Sequence, residues 1–373
     1  MKYPSNYLSK VMMASLFLVF QNGLAADIEV MTQNQYLGAD LTAVITATSQ
    51  EEFNTAVIDA LKQVNSNNTP ARIEALAKLI AKRNPDLVGL QEVYAVGCLD
   101  PYETGACTDP EIAGAFNDHL ALTLAALNGA YETAAVVVNL NVPGIPFYLD
   151  GNSLPAYLTI LDRDVILKHP GVESSVVDYS GVCSKPSADG CNYQFILGPI
   201  STPYGDIFVE RGYVGVDVTI GGKDYRFVNT HLEVKDPPVP PELQAAQAFE
   251  LISVLGATTP PERSLLLVGD MNSSPADAWP GTPYSQFLSS GFTDAWTMRP
   301  GGVEGLTCCQ LEDLSNHKSI LNERVDLIFT MEPTQKIKKA RVLGDKVSAK
   351  TPPHGKGLWA SDHGSVAAGI EFY

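Results

Sequence analysis

Cysteine, tryptophan and positive charge are all scarce in this 373-residue chain, which has six Cys, three Trp and 25 Lys or Arg against 42 Asp or Glu. No two cysteines stand in a CxxC pair, which disfavours cysteine-built zinc sites. No GxSxG, HExxH or P-loop pattern occurs, which leaves serine-hydrolase, zincin and P-loop chemistry without an anchor. The glycines of residues 355–360 imitate a dinucleotide fingerprint, but no strand precedes them and no βαβ unit holds them. Repeats and low-complexity tracts are missing, and no segment after the N-terminus has the apolar length of a membrane span. The formal charge of −17 repels nucleic acid and anionic membranes in bulk, although a bound divalent cation reverses that sign locally. With 45% hydrophobic and 18% charged residues, the composition is globular.

The N-terminus carries Lys2 and Lys10, a short apolar run over residues 11–20 and small residues up to Ala26. This pattern predicts a secretory signal peptide over residues 1–25, cleaved after Ala25 or Ala26, and a secreted or periplasmic mature chain. Losing Lys2 and Lys10 takes the formal charge from −17 to −19. Residues 26–373 show no composition break and are expected to form one domain. In an exported chain cysteines pair. Cys98 with Cys107 and Cys183 with Cys191 each close a short loop, while the state of the adjacent Cys308 and Cys309 stays open.

Apolar alternation or apolar runs predict strands at residues 28–33, 86–92, 131–139, 157–168, 213–220, 225–231, 265–268, 324–329 and 366–372. Gly221-Gly222 is expected to turn a hairpin. Helices are expected at 51–64, from Thr69-Pro70 to Asn84, at 111–128, at 242–256 and at 283–290. For the second of these, Thr69 is read as the cap and Pro70 as the first helical residue. Residues 140–157 read as a loop with exposed apolar groups (Ile145, Phe147, Tyr148, Leu149), suited to a substrate rim or a peripheral membrane contact. Residues 297–323 read as irregular.

A recurrent design emerges at the strand ends. Asn34, Glu92, His231, Asp270, Asn272, Asp362 and His363 each lie just past or beside an apolar run, and Asp326 lies near the start of its own. Strands that end on one rim of a sheet bring such residues to one site. Hard oxygen donors with no cysteine suit Mg²⁺, Mn²⁺ or Ca²⁺ better than zinc. A cation beside paired His and Asp suits attack of water on a phosphate ester.

In order along the chain come Gln33-Asn34, Gln91-Glu92-Val93, Asn229-Thr-His-Leu232, Gly269-Asp-Met-Asn272, Arg324-Val-Asp326 and Ser361-Asp-His363. This set resembles the endonuclease/exonuclease/phosphatase superfamily of deoxyribonuclease- and neutral sphingomyelinase-like phosphoesterases. The resemblance implies an α/β (α+β) fold: a four-layer α/β/β/α sandwich of two packed, mainly antiparallel sheets. It implies a phosphodiesterase dependent on Mg²⁺ (or Mn²⁺ or Ca²⁺), a nuclease or a phospholipid or sphingomyelin phosphodiesterase; a monomer is expected. Glu92 would be the main metal ligand, with Asn34 beside it and Asp362 supporting the metal side. Asp270 and Asn272 would orient the attacking water or the phosphate. His363, paired with Asp326, would be the general base or a phosphate-stabilising imidazole, and His231 would bond a phosphoryl oxygen or help the leaving group. The choice of base between Asp270 and His363 stays open. Asn229, Asn272 and Arg324 would contact the substrate.

Leu327 stands after Asp326 where many relatives have Tyr, with little expected consequence, and the tyrosine of abasic-site enzymes has no equivalent here. His119 and His169 read as structural, and His317 and His354 as loop residues. The basic stretch Lys336, Lys338, Lys339, Arg341, Lys346, Lys350 and Lys356 reads as a lysine-guarded edge strand or as an anion-attracting margin of the site. The alternative to an enzyme is a non-catalytic, toxin- or adhesin-like binding module on the same scaffold.

Overall fold

A computed structural model describes residues 26–149, 153–235, 239–299, 301–331, 335–353 and 357–372. The expected leader (1–25) and His354 lie outside them. Two large sheets pack face to face. The first has strand order Gln335–Leu343, Ser365–Phe372, Ala26–Asn34, Leu87–Gln91, Ala156–Lys168 and Ala95–Leu99, with Glu132–Phe147 also on Ala156–Lys168. The second runs Thr293–Asp294, Asp326–Met331, Ser264–Asp270, Lys223–His231, Gly212–Ile220, Gly190–Asn192 and Pro186–Ser187, with Ser174–Val176 also on Gly212–Ile220.

Pairing is antiparallel except at the middle of each sheet. Ala26–Asn34 runs parallel to Leu87–Gln91, and Lys223–His231 runs parallel to Ser264–Asp270. Parallel neighbours need a crossover. Helices Gln50–Ser66 and Thr69–Arg83 supply it in the first sheet and Pro241–Thr258 in the second. The consequence for function is direct: each parallel pair delivers two C-terminal strand ends to the same rim.

The Ser264–Asp270 strand shows why the sheets stack. Leu266 and Val268 pack into the inter-sheet core with Val30, Phe227, Ile328 and Ile370. Leu265 and Leu267 point the other way, against Leu251 and Leu255 of Pro241–Thr258. Outside the first sheet, Ala77 and Ile80 of Thr69–Arg83 cover Val88 and Leu90. The result is the expected α/β/β/α sandwich. Asn229 staples its two sheets: its Nδ2 donates to Leu90 O at 2.9 Å and Val165 O at 3.1 Å, and its Oδ1 accepts from Gln91 Nε2 at 2.6 Å. Gly89 permits this approach, because a Cβ there would lie 2.6 Å from Asn229 Oδ1. Asn229→Ala removes both donors and the acceptor of this staple and should cost about 3 kcal/mol, measurable by urea unfolding.

Several expectations need correction. Residues 140–147 are not a loop, since the strand continues to Phe147. Its prolines are accommodated by register shifts against the neighbouring strand, one of them between Val142 and Ile145. Ile145 and Phe147 are buried against Phe53 and Leu61, so these two serve the core, while Tyr148 and Leu149 stay half-buried. The helix expected over 111–128 forms as His119–Leu127, because Asp118 caps it through Leu120 N and Ala121 N. Asn68, in a left-handed conformation, caps Thr69–Arg83 in place of Thr69. The basic segment Gln335–Leu343 is indeed an edge strand. Disulfides join Cys98 to Cys107 and Cys183 to Cys191, and the neighbours Cys308 and Cys309 are also joined. Among the described residues no helix is long and apolar enough to cross a membrane.

Candidate active site

Register brings the site together. His231 lies opposite Asp270 in the parallel pair, and Asp270 lies opposite Asp326 in the antiparallel one. Gly269 makes the close pairing possible: its φ is +154° and a Cβ there would lie 2.0 Å from Thr230 O. From the facing sheet, Asn34 and Glu92 reach the same rim, and Ser361-Asp-His363 enters just before the strand Ser365–Phe372.

Asp270 is the centre. It is 1% exposed. Its Oδ1 accepts from Asn272 N at 2.9 Å, its Oδ2 accepts from Asn34 Nδ2 at 3.0 Å, and Oδ2 lies 3.7 Å from both His231 Nε2 and His363 Nδ1. Burial alone would raise its pKa, but the His363 charge, with the hydrogen bonds from Asn272 N and Asn34 Nδ2, holds it below the usual carboxylate range. Asp270 therefore stays ionised.

The two histidines differ. His363 Nδ1 lies 2.8 Å from Asp326 Oδ2. Burial would lower its pKa, but Asp326, then Asp270 and Asp362, push it well above the ordinary imidazole value. At neutral pH it is an imidazolium. His231 is the reverse, pushed down to about 3 by burial and the Arg211 cation. Arg211 Nη1 lies 3.1 Å from His231 Nδ1. A guanidinium can only donate, so Nδ1 accepts and the His231 proton sits on Nε2, facing Asp270. The Asn272 carboxamide, 3.2 Å from Nε2 and 2.9 Å from Leu232 O, frames that side.

Glu92 adopts φ +54°, a left-handed conformation that a non-glycine residue holds only under surrounding constraint. Its Oε1 accepts from Asn34 Nδ2 at 2.9 Å and its Oε2 from Leu37 N at 3.2 Å. Asn34 thus bridges Glu92 and Asp270 with its NH₂, while its Oδ1 accepts from Tyr36 N. Asp362 is raised to about 7, first by burial and then, against His363, by the Glu92 charge. The donor set consists of carboxylate oxygens whose mutual repulsion a divalent cation would relieve, so Glu92 and Asp362 fit a hard-cation site. Asp270, Asp326 and His363 offer atoms within 4.8 Å of one another, but there the imidazolium already balances the charge.

Two expected substrate contacts fail. Asn229 spends its polar atoms on the inter-sheet staple described above and is fully buried. Arg324 is held by Asp294 at 2.6 Å over the Tyr284 ring and is 7% exposed. His119 is buried beneath the Tyr94 ring, and His169 bonds Ala130 O, so both are structural. His317 is exposed in a loop.

Other residues escaped the sequence. Arg72 is fully buried and donates to Gln35 O, Tyr36 O and Ala360 O, tying the segment after Asn34 to the one before Ser361-Asp-His363. Its signal was a cation on the apolar face of an amphipathic helix. Arg211 orients His231, and its signal was an Arg just ahead of an apolar strand. Asp162 and Asp164, two apart on one strand face, are buried near it; burial, above the Glu92 charge, pushes Asp162 up to about 7 against Arg211. Thr307 Oγ1 accepts from the Asp326 amide at 3.1 Å. Cys309 Sγ lies 3.9 Å from His363 Nε2.

The model of the endonuclease/exonuclease/phosphatase family matches residues 53–363. Three solved structures share the fold. A family protein from Bacteroides thetaiotaomicron has TM-score 0.54 and 15% identity, covering 94% of this chain and 99% of that one. A mannosyl-6-phosphatase of Bacteroides thetaiotaomicron VPI-5482 has TM-score 0.53 and 15% identity, covering 92% and 99%. A family protein from Leptotrichia buccalis C-1013-b has TM-score 0.51 and 16% identity, covering 92% and 100%. No curated protein matches. By the family match, which spans most of its length and all but the first of its site motifs, the chain belongs to the endonuclease/exonuclease/phosphatase family of metal-dependent phosphoesterases.

Proposed function

We propose that the protein is an exported, Mg²⁺-dependent phosphodiesterase in which Asp270 takes the proton of the attacking water. The observation that carries this is the sharing of one ionised carboxylate oxygen, Asp270 Oδ2, by two imidazoles at 3.7 Å each. A base must be unprotonated to act. His363 is already an imidazolium, which leaves Asp270 in that role. Asn34 and Asn272 hold the Asp270 carboxylate in place through its two oxygens.

His363, anchored by Asp326, supplies fixed positive charge to a phosphoryl oxygen. Neutral His231 contributes an N–H from Nε2. Glu92 and Asp362 would hold the cation, which when bound supplies charge neutralisation of the phosphate. The disulfides Cys98–Cys107 and Cys183–Cys191 support an oxidising location outside the cytoplasm.

The test is hydrolysis of a chromogenic phosphodiester by the mature protein with Mg²⁺. His363→Gln should lower kcat by about 10²-fold or more, and activity within a few-fold of wild type would sink the assignment. The pH profile follows from the direction of the His363 shift. A raised folded pKa means that the charged form, and the stability it contributes, is fully present below about pH 6.5. Both are lost as pH rises through the folded value. kcat/KM should therefore fall on the alkaline side, and that limb should vanish in His363→Gln.

A further inference from the structure

Cys308 and Cys309 are neighbours in sequence, so the bond between them ties no distant segments together. The constraint through which a disulfide stabilises a fold grows with the loop it closes, and here that loop is nearly absent. What sets the pair apart is its place. Cys309 Sγ lies 3.9 Å from Nε2 of the catalytic His363, and both cysteines are half-buried and so open to small solutes.

Backbone bonds hold these residues in place whether or not the two sulfurs are joined. Residues 307–310 run beside the catalytic segment 362–364: Gly364 N donates to Thr307 O at 2.7 Å, and Gln310 N to Asp362 O at 2.9 Å. On the other side Cys308 N donates to Glu323 O at 3.0 Å, and Cys308 O accepts from Asn322 N and Glu323 N. Opening the bond would therefore free two sulfurs at a fixed place next to an imidazole. His363 Nδ1 faces Asp326 Oδ2 at 2.8 Å, which leaves Nε2 for the sulfurs. A carboxylate behind an imidazole is the arrangement that orients a histidine as a metal ligand. Ligand atoms of Cys308, Cys309 and His363 lie within 4.8 Å of one another. A zinc ion bonded to sulfur at about 2.3 Å and to nitrogen at about 2.1 Å spans at most about 4.4 Å. The 3.9 Å between Cys309 Sγ and Nε2 is within that reach.

We infer that the joined Cys308–Cys309 pair masks a soft-metal site, which reduction exposes and which Zn²⁺ then occupies through two thiolates and His363 Nε2. Thiolates select such an ion over the Mg²⁺ that suits the oxygens of Glu92 and Asp362. A dithiol reductant gives two electrons and two protons to the S–S bond, leaving two thiols, and is itself oxidised to a disulfide. The ion then replaces the two thiol protons and the Nε2 proton, all of which pass to water. A water molecule completes its four ligands. With Nε2 ligated, His363 no longer offers its charge to a phosphoryl oxygen. On the phosphodiesterase reading given above, the occupied site is thus an off state.

The experiment treats the protein with a dithiol under anaerobic conditions, removes the reductant, and supplies or withholds stoichiometric Zn²⁺. The rate at which each cysteine is alkylated is then read by peptide mass spectrometry. Cys308 and Cys309 should be inert before reduction and reactive after it, and Zn²⁺ should slow both by about tenfold or more, since a metal-held thiolate is not free to attack. His363→Gln, which keeps the thiols and lacks the nitrogen, should lose most of that protection. Diester turnover with Mg²⁺ should fall by about tenfold or more on adding Zn²⁺ to the reduced wild type. It should not respond in the unreduced protein, nor in the reduced Cys308→Ser, Cys309→Ser variant, whose other two disulfides meet the same reductant. Absence of Zn²⁺ protection in reduced wild type overturns the inference, as does equal protection in His363→Gln. So does a pair that reacts before reduction or stays closed under the dithiol. Turnover that Zn²⁺ leaves unchanged in reduced wild type overturns the off state. The alkylation of wild type needs neither a folded variant nor turnover. Protected cysteines in a protein that hydrolyses no diester would therefore refute the phosphodiesterase reading and leave the metal site standing.

Discussion

Asp270→Asn should lower kcat on a chromogenic diester by about 10³-fold or more while leaving the protein folded. An amide matches the carboxylate in shape but accepts no proton, so the chemical step loses its base. The same substitution removes one of the charges that hold His363 protonated. The alkaline limb of the pH profile should therefore move to lower pH, a shift that damage to the fold alone would not produce. Asn34 adds a further consequence. Its NH₂ donates to both Asp270 and Glu92, so an asparagine at 270 also loosens the orientation of Glu92. A kcat near that of wild type would remove Asp270 from the mechanism and return the proton to another group.

Chelation should abolish turnover, and Mg²⁺ should restore it. Glu92→Gln is expected to weaken Mg²⁺ binding by about 10- to 100-fold or more, by analogy with losses seen on disturbing ligand support, read by titration calorimetry. Stability should move the opposite way. Asp270, Asp326 and Asp362 gather around the His363 imidazolium, and Glu92 is among the groups raising the Asp362 pKa. Removing its charge relieves that repulsion, so without metal the variant should melt no lower than wild type. With Mg²⁺ at about 100 times its Kd, wild type should gain about 2.7 kcal/mol, and the variant far less. A variant that binds Mg²⁺ as tightly as wild type would place the cation elsewhere.

Much of this was legible in the chain itself. The run at 265–268 is buried on both faces, and its two side-chain sets enter different cores, as an uninterrupted apolar run before Gly269 requires. Asp270 and Asn272, two apart, meet through the Asn272 amide. The segment at 140–147 misled because prolines and a glycine weaken a strand signal, whereas pairing to a neighbour on one side tolerates them. Arg324 misled for another reason: an Arg beside a catalytic Asp looks available until Asp294, brought in by a separate strand, claims it.

What the sequence by itself determined was the inventory: strands ending in polar residues, the order of the six motifs, and the two cysteine pairs that close short loops. Tertiary structure decided which of those residues share a site and in what charge state. The reason is physical. Periodicity and capping act over a few residues, while the protonation of His363 depends on Asp326 and Asp270, distant in sequence, being carried within 4 Å by strand register.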